Sequence, residues 1–166
     1  MMTPLFQLTL PNESPEAHFA PLQITLRGLC DVNQWDIERM MKRLAKGMVP
    51  EFIIPPLYAS GVIYKEDDPG HEDWSDAIET NKKQTGDCKK LVAWRVAENR
   101  ANGVECEPVI KWQFIPKHLA TQLGYPEWLV KGDGLWLVHC QVRYPNGTIE
   151  DPSKILGMGG DYNNKS

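Results

Sequence analysis

The spacing of apolar residues changes along the chain, and each change predicts a different element. Ile37, Met40, Met41, Leu44 and Met48 recur at helical intervals and predict a helix over 32–46. Asp31 can cap its start, with Gln34 three residues on as a capping-box partner. Asp36 and Glu38 near the start, and Arg39, Lys42, Arg43 and Lys46 toward the end, match the helix dipole. Gly47 suits the C-terminal cap, and the Met stripe reads as core packing. Upstream, Leu5-Phe6-Gln7-Leu8-Thr9-Leu10 and Leu22-Gln23-Ile24-Thr25-Leu26 alternate weakly. They read as two strand-like segments split by a Pro/Asn/Glu loop.

From Pro50 to Tyr64 the chain is apolar but irregular, and Pro55-Pro56 rules out a central strand there. Residues 65–73 read as a solvated charged loop that includes His71. Its carboxylates lack the central glycine and distal glutamate of a calcium loop. A second helix is predicted from Cys88 to the capping pair Asn102-Gly103. A strand over 104–115 with an early Pro108 follows, then a Pro/Gly-bearing excursion over 116–134 containing Trp128. A clear strand over 135–144 leads into the turn Pro145-Asn146-Gly147. The Gly-rich tail after Leu156 needs docking to be ordered. The expected organisation is one compact domain with an N-terminal part at 1–49, a core at 50–158 and a tail at 159–166.

Composition narrows the function classes. At 166 residues, 42% hydrophobic and 24% charged, the chain is an ordinary globular one with room for a core. Six tryptophans suggest a tightly packed core or an aromatic-lined cleft. The net charge of −4 is uneven, since residues 1–87 hold 8 of the 18 basic and 14 of the 22 acidic side chains. No basic stripe suits a nucleic-acid backbone. No stretch approaches the roughly 18 apolar residues of a membrane span, and no secretory signal is visible. Cys30, Cys88, Cys106 and Cys140 show no CxxC spacing, which argues against structural zinc and a disulfide framework and for a reducing compartment.

Within this frame three residues carry candidate chemistry. Asp87 can cap the second helix, which puts Cys88 at its first position, where backbone N–H groups and the dipole favour a thiolate. Lys89 and Lys90 add positive charge nearby. In the strand over 135–144, period two puts Trp136, Val138, Cys140, Val142 and Tyr144 on one face, and Leu137, His139, Gln141 and Arg143 on the other. Cys140 thus reads as core, and His139 as the imidazole available to a thiol. Proline suits the first central position of a type I turn, so Pro145-Asn146 followed by left-handed Gly147 is the favoured hairpin. That loop pairs Gln141 with Asp151 and puts Asp151 on the face of His139. An acyl-transfer site also needs oxyanion donors. The Cys88 N–H is one candidate, and the Gln84 side chain is either a second or an exposed loop group. Cys30 and Cys106 read as packing thiols, and neither His18 nor His118 has a comparable setting. No cofactor or metal is called for.

Gly86-Asp87-Cys88, the following Leu-Val-Ala-Trp-Arg helix, a strand histidine and Glu150-Asp151-Pro152-Ser153 resemble the transglutaminase-like branch of the papain-like cysteine hydrolases. The segments Pro56–Tyr64, Trp74-Ser75-Asp76 and Asp151–Met158 are similar to those of small bacteriophage proteins of this type. The likeness spans about residues 50–158. It implies an α+β papain-like fold whose nucleophile-bearing helix packs on an antiparallel sheet. Cys88 would be the nucleophile, His139 general base and acid, and Asp151 the group that orients the imidazole. It also implies a virus-encoded protein of the infected host's cytoplasm or the virion. Lys89-Lys90 departs from the acidic residues such proteins often carry after the cysteine.

Three functions are compatible with these features. The first is a cysteine peptidase or amidase working through a thioester on a peptide, protein or peptidoglycan substrate. The second is a transglutaminase or deamidase sharing that acyl-enzyme. The third is a non-catalytic phage structural or assembly protein, partnered by other structural proteins, with its triad unused.

Overall fold

The computed structural model describes residues 15–68, 72–130 and 132–159. Its first element, α1 (Pro15–Ala45), is one long helix. The strand expected over 22–26 is therefore helix, while the one expected at 5–10 lies outside the described residues. The reason is a longer period than the local alternation suggests. Leu26, Leu29, Cys30, Asn33, Ile37 and Met40 are all buried, spaced by threes and fours, whereas Ile24 is 70% exposed. Pro15 begins the helix, where a missing N–H costs nothing. Asp31, expected as a cap, is mid-helix and exposed and pairs with Arg100 at 3.6 Å. Gln34 bonds Glu38 one turn on instead. Gly47 does close the helix, with φ +67 and its N–H on Leu44 O. Only Ile37 and Met40 of the expected core stripe are buried; Met41, Leu44 and Met48 are exposed.

The segment after α1 is irregular, with a 3-10 turn at Leu57–Ala59 and the short strand β1 (Ile63–Tyr64). Helix α2 (Ala77–Lys83) starts at Asp76, whose carboxylate accepts the Glu79 N–H. Strand β2 (Thr85–Gly86) runs parallel to β1, pairing Ile63 with Thr85 and Tyr64 with Gly86. Helix α3 (Cys88–Ala101) follows at the expected boundaries, with Asn102 at its C-cap and Gly103 left-handed.

Strand β3 (Glu107–Pro116), helix α4 (Lys117–Gln122), strand β4 (Gly134–Arg143), strand β5 (Ile149–Glu150) and helix α5 (Pro152–Ile155) complete the order. In the three-stranded sheet β4 lies between β3 and β5. The mixture of helices and small sheets is α+β. Among the described residues no helix is long and apolar enough to cross a membrane.

The described residues form two compact units. The first runs to Val109 and resumes at Cys140; the second is Ile110–His139. In the first, α3 is central, with Leu91, Val92, Ala93, Trp94, Val96 and Ala97 fully buried. It packs chiefly along α1, with α2, α5 and the 3-10 turn also against it. Ile37, Met40, Ile54, Leu57, Val62 and Ala77 join Leu91, Trp94 and Ala97 in its core. In the second unit Ile115, Ala120 and Leu135 form a small core, backed by Tyr125, Val130 and Leu137. Gly134 is required there, because a Cβ would lie 2.3 Å from Ile115 O. Trp74 and Trp94 are core, while Trp35, Trp128 and Trp136 are exposed.

Candidate thiol site

Cys88 is the first residue of α3 and is half-buried. Asp87 caps the helix in an extended conformation, its carboxylate accepting the Lys90 N–H at 3.3 Å. The turn before it is set by Gln84, a non-glycine residue in the left-handed region with φ +57. Its backbone N–H closes α2 on Thr80 O, and its side-chain Nε2 donates to Asn81 O at 2.6 Å. The amide considered for the oxyanion is thus engaged in ending α2, on an exposed residue.

The lysines after Cys88 do not present free positive charge. Both are buried, and each ends among carboxylates. Lys89 Nζ is 2.9 Å from Asp67 Oδ2, 2.9 Å from Glu72 Oε2 and in contact with Asp87 Oδ2. Lys90 Nζ bonds Asp67 Oδ1 and lies 3.4 Å from Asp73 Oδ2. Burial opposes the Lys89 ammonium, but Asp87 and Glu72 outweigh it and hold its pKa above the ordinary lysine value. Asp67 shows the converse. Burial would raise its pKa, yet bonds from Lys90 and Lys89 bring it to about 2. The loop expected to be solvated therefore sends Asp67 and Asp73 inward as counter-ions. Asp67, Glu72 and Asp87 place oxygens within 4.8 Å of one another, a spacing that could hold a cation. The Lys89 ammonium fills that role.

Cys140 is the neighbour that parity reasoning missed. It is 3% exposed, and the influence of the Cys88 side chain, with burial second, raises its pKa well above the ordinary thiol value. The signal was present in the sequence. Cys140 shares its face with Val142, which is fully buried, so the apolar face of β4 is the one turned inward in the first unit.

Asp151 is placed by the hairpin. Val142 pairs with Glu150 and Arg143 with Ile149, a register that sets Gln141 opposite Asp151. Gly147 N–H bonds Tyr144 O across Pro145-Asn146, and Gly147 has φ +85, as a type I turn with a bulge requires. Gln141 Nε2 donates to Asp151 Oδ2 at 2.9 Å, and Asp151 Oδ1 accepts the Lys154 N–H at 3.3 Å to cap α5. Both carboxylate oxygens are thereby oriented. Gln141 was not singled out from the sequence, although the register that pairs it with Asp151 was.

Next to Asp151, Glu150 anchors the hairpin to α3. Arg95 Nε donates to Glu150 Oε1 at 2.6 Å, Tyr58 and Tyr144 hydroxyls also donate to it, and Asn99 Nδ2 donates to the Tyr144 oxygen at 2.9 Å. Burial would raise the Glu150 pKa, but Arg95, Tyr144 and Tyr58 together lower it.

His139 ends the second unit, half-buried, one peptide bond before Cys140. Burial pushes Cys30 up to about 12 and also raises Cys106, whose Sγ contacts Val96 O at 3.8 Å. His118 is exposed on α4. His71 lies outside the described residues, as does the end of the tail.

Compared with protein-family models, with curated proteins and with solved structures, the chain matches none. Its chemistry is therefore read from its own residues.

Proposed function

We propose that the chain is a thiol-dependent hydrolase of the papain-like, transglutaminase-like type, cleaving an amide or peptide bond through a thioester on Cys88. One observation carries the reading: Cys88 is half-buried at the capped first position of a buried central helix. A helix start favours an anion through its N–H groups and dipole, and the thiolate is the nucleophile. In this reading His139 takes the thiol proton and returns it to the leaving amine. Asp151, its carboxylate oriented by Gln141 and the α5 start, holds the imidazole. The Cys88 backbone N–H faces the developing oxyanion. The substrate is a peptide, protein or peptidoglycan cross-bridge, and the setting is a virus-infected cell or virion.

An activated ester tests this without knowledge of the substrate. With p-nitrophenyl acetate the wild type gives a stoichiometric burst followed by turnover, Cys88→Ala gives neither, and His139→Ala slows turnover. Iodoacetamide at neutral pH modifies Cys88 ahead of Cys30 and Cys106. A burst that survives in Cys88→Ala, or earlier labelling of Cys106, refutes the proposal. Adding an amine separates transamidation from hydrolysis, since only the former accumulates the amide.

A further inference from the structure

We propose that the outer edge of β3, from Ile110 to Phe114, takes up an extended peptide segment as an added strand, one whose side chains alternate between apolar and acidic. β3 is the last strand of its sheet, with β4 on one side and no strand among the described residues on the other. Strand parity decides which of its backbone groups face outward. The Lys117 N–H bonds Asp133 O at 2.9 Å just ahead of β4, and Ile115 O lies against Gly134, so the odd positions face β4. The even positions face away. Pro108 agrees, since its carbonyl accepts Gln23 Nε2 of α1 at 3.2 Å. Ile110 and Phe114 therefore each turn an N–H and a C=O to the open side. Among the described residues, no backbone bond joins either of them to a segment outside the sheet.

Prolines set the limits of this edge. Pro108 and Pro116 hold outward positions, where a missing N–H breaks no ladder bond, and each denies a donor to an incoming strand. Proline protects an edge from unspecific pairing, so the stretch left open between the two admits a short strand and not a long one. The side chains say which strand. The Phe114 and Trp136 rings rest against each other, with centroids 5.1 Å apart, and with Val138 they leave an exposed apolar strip on one face. Lys111, at an odd position, is exposed on the opposite face. A segment with apolar residues over Phe114 and carboxylates beside Lys111 matches both faces. The ribbon also gains from a third strand. It has a small core centred on Ile115, Ala120 and Leu135, and two strands alone are marginal. Main-chain bonds supply the affinity, and the alternating side chains select the sequence. The inference goes beyond the hydrolase reading and does not depend on it, because none of these residues serves the thiol chemistry.

The experiment is backbone-amide hydrogen exchange, followed by NMR on the full chain, with a synthetic hexapeptide alternating valine and glutamate as the probe. With millimolar peptide the Ile110 and Phe114 amides should exchange about tenfold more slowly. Those of Lys111 and Gln113, which already face β4, should change little. The same hexapeptide N-methylated at every residue keeps its side chains but loses its donors, and should bind about tenfold more weakly or not at all. Replacing glutamate by lysine in the probe should also weaken binding. Phe114→Pro removes an outward N–H at an edge position that tolerates proline, and should cost about tenfold in affinity. Unchanged exchange at Ile110 and Phe114 with millimolar peptide overturns the proposal, as does equal binding of the N-methylated probe. Amides of Ile110 and Phe114 already protected without peptide, in a protein that sediments as a dimer, overturn it too, by putting a second copy of the chain on the edge. The wild-type exchange and the methylated probe decide even if Phe114→Pro fails to fold, and none of these readouts requires ester turnover.

Discussion

Two buried charge clusters lie along α3, about one and a half turns apart, and they are built in opposite ways. At the N-terminal end Lys89 and Lys90 stand among Asp67, Glu72, Asp73 and Asp87. One turn and a half on, Arg95 stands between Glu98 and Glu150 and over the Tyr58 ring at 4.9 Å. The first uses compact ammonium charges and carboxylates from a loop, with Glu72 66% exposed. The second uses a planar guanidinium whose fork fits its partners, and its remaining acceptors are filled by neutral donors, including the Leu57 N–H on Glu98 at 2.7 Å. A cluster with water at its edge can relax when one member is lost. A cluster whose acceptors are all filled from four chain segments cannot. The difference suits their places: the rigid one anchors the hairpin that carries Asp151, and the adaptable one flanks the thiol.

The comparison breaks most clearly at Arg95. Arg95→Ala strands Glu98 and Glu150 and should cost about 3 kcal/mol, the lower end for breaking a buried pair, because the guanidinium retains some solvent. Urea denaturation measures it. Lys89→Met should cost less, about 2 kcal/mol, since Lys90 still neutralises Asp67 and water reaches Glu72. A larger loss for Lys89→Met than for Arg95→Ala would reverse the contrast. Asp67→Asn comes next, at about 1–2 kcal/mol near neutral pH. The sign with pH follows from Asp67's depressed pKa of about 2. Its stabilisation is present above the unfolded value near 4 and is lost as pH falls toward 2. Wild-type and Asp67→Asn stabilities should therefore converge on acidification. Parallel urea midpoints from pH 6 to pH 2 would remove Asp67 as the source of acid sensitivity.

How much of this was legible in the sequence depends on where each signal was written. Local signals read well. The Asp87 cap, the Asn102-Gly103 end of α3 and the bulged turn at Pro145-Asn146-Gly147 each follow from residues within a few positions of one another. Helix α1 misled because Leu22, Ile24 and Leu26 alternate over a window too short to reveal the spacing from Leu26 to Met40. Long-range pairings were out of reach. Nothing near Asp67 announces that Lys89 and Lys90, more than twenty positions on, will draw it inward. Cys140 is the instructive case. Strand parity correctly assigned it to the buried apolar side, but did not reveal that the Cys88 side chain would be the first cause raising its pKa.

The smallest effect is the most discriminating. Gln84 has φ +57, a conformation that costs a residue with a Cβ roughly 1 kcal/mol and glycine almost nothing. Its side-chain bond to Asn81 O at 2.6 Å returns a similar amount on an exposed surface. Gln84→Gly should therefore leave stability within about 0.5 kcal/mol. Turnover of p-nitrophenyl acetate decides between the two roles considered for the side chain. An oxyanion donor is worth roughly a hundredfold or more in rate. With Nε2 committed to closing α2, the expected outcome is unchanged turnover, leaving the Cys88 backbone N–H as the donor that this end of α3 supplies. A hundredfold loss in a variant of unaltered stability would show instead that Gln84 leaves Asn81 when substrate binds, and that the turn before Cys88 is part of the catalytic apparatus rather than its support.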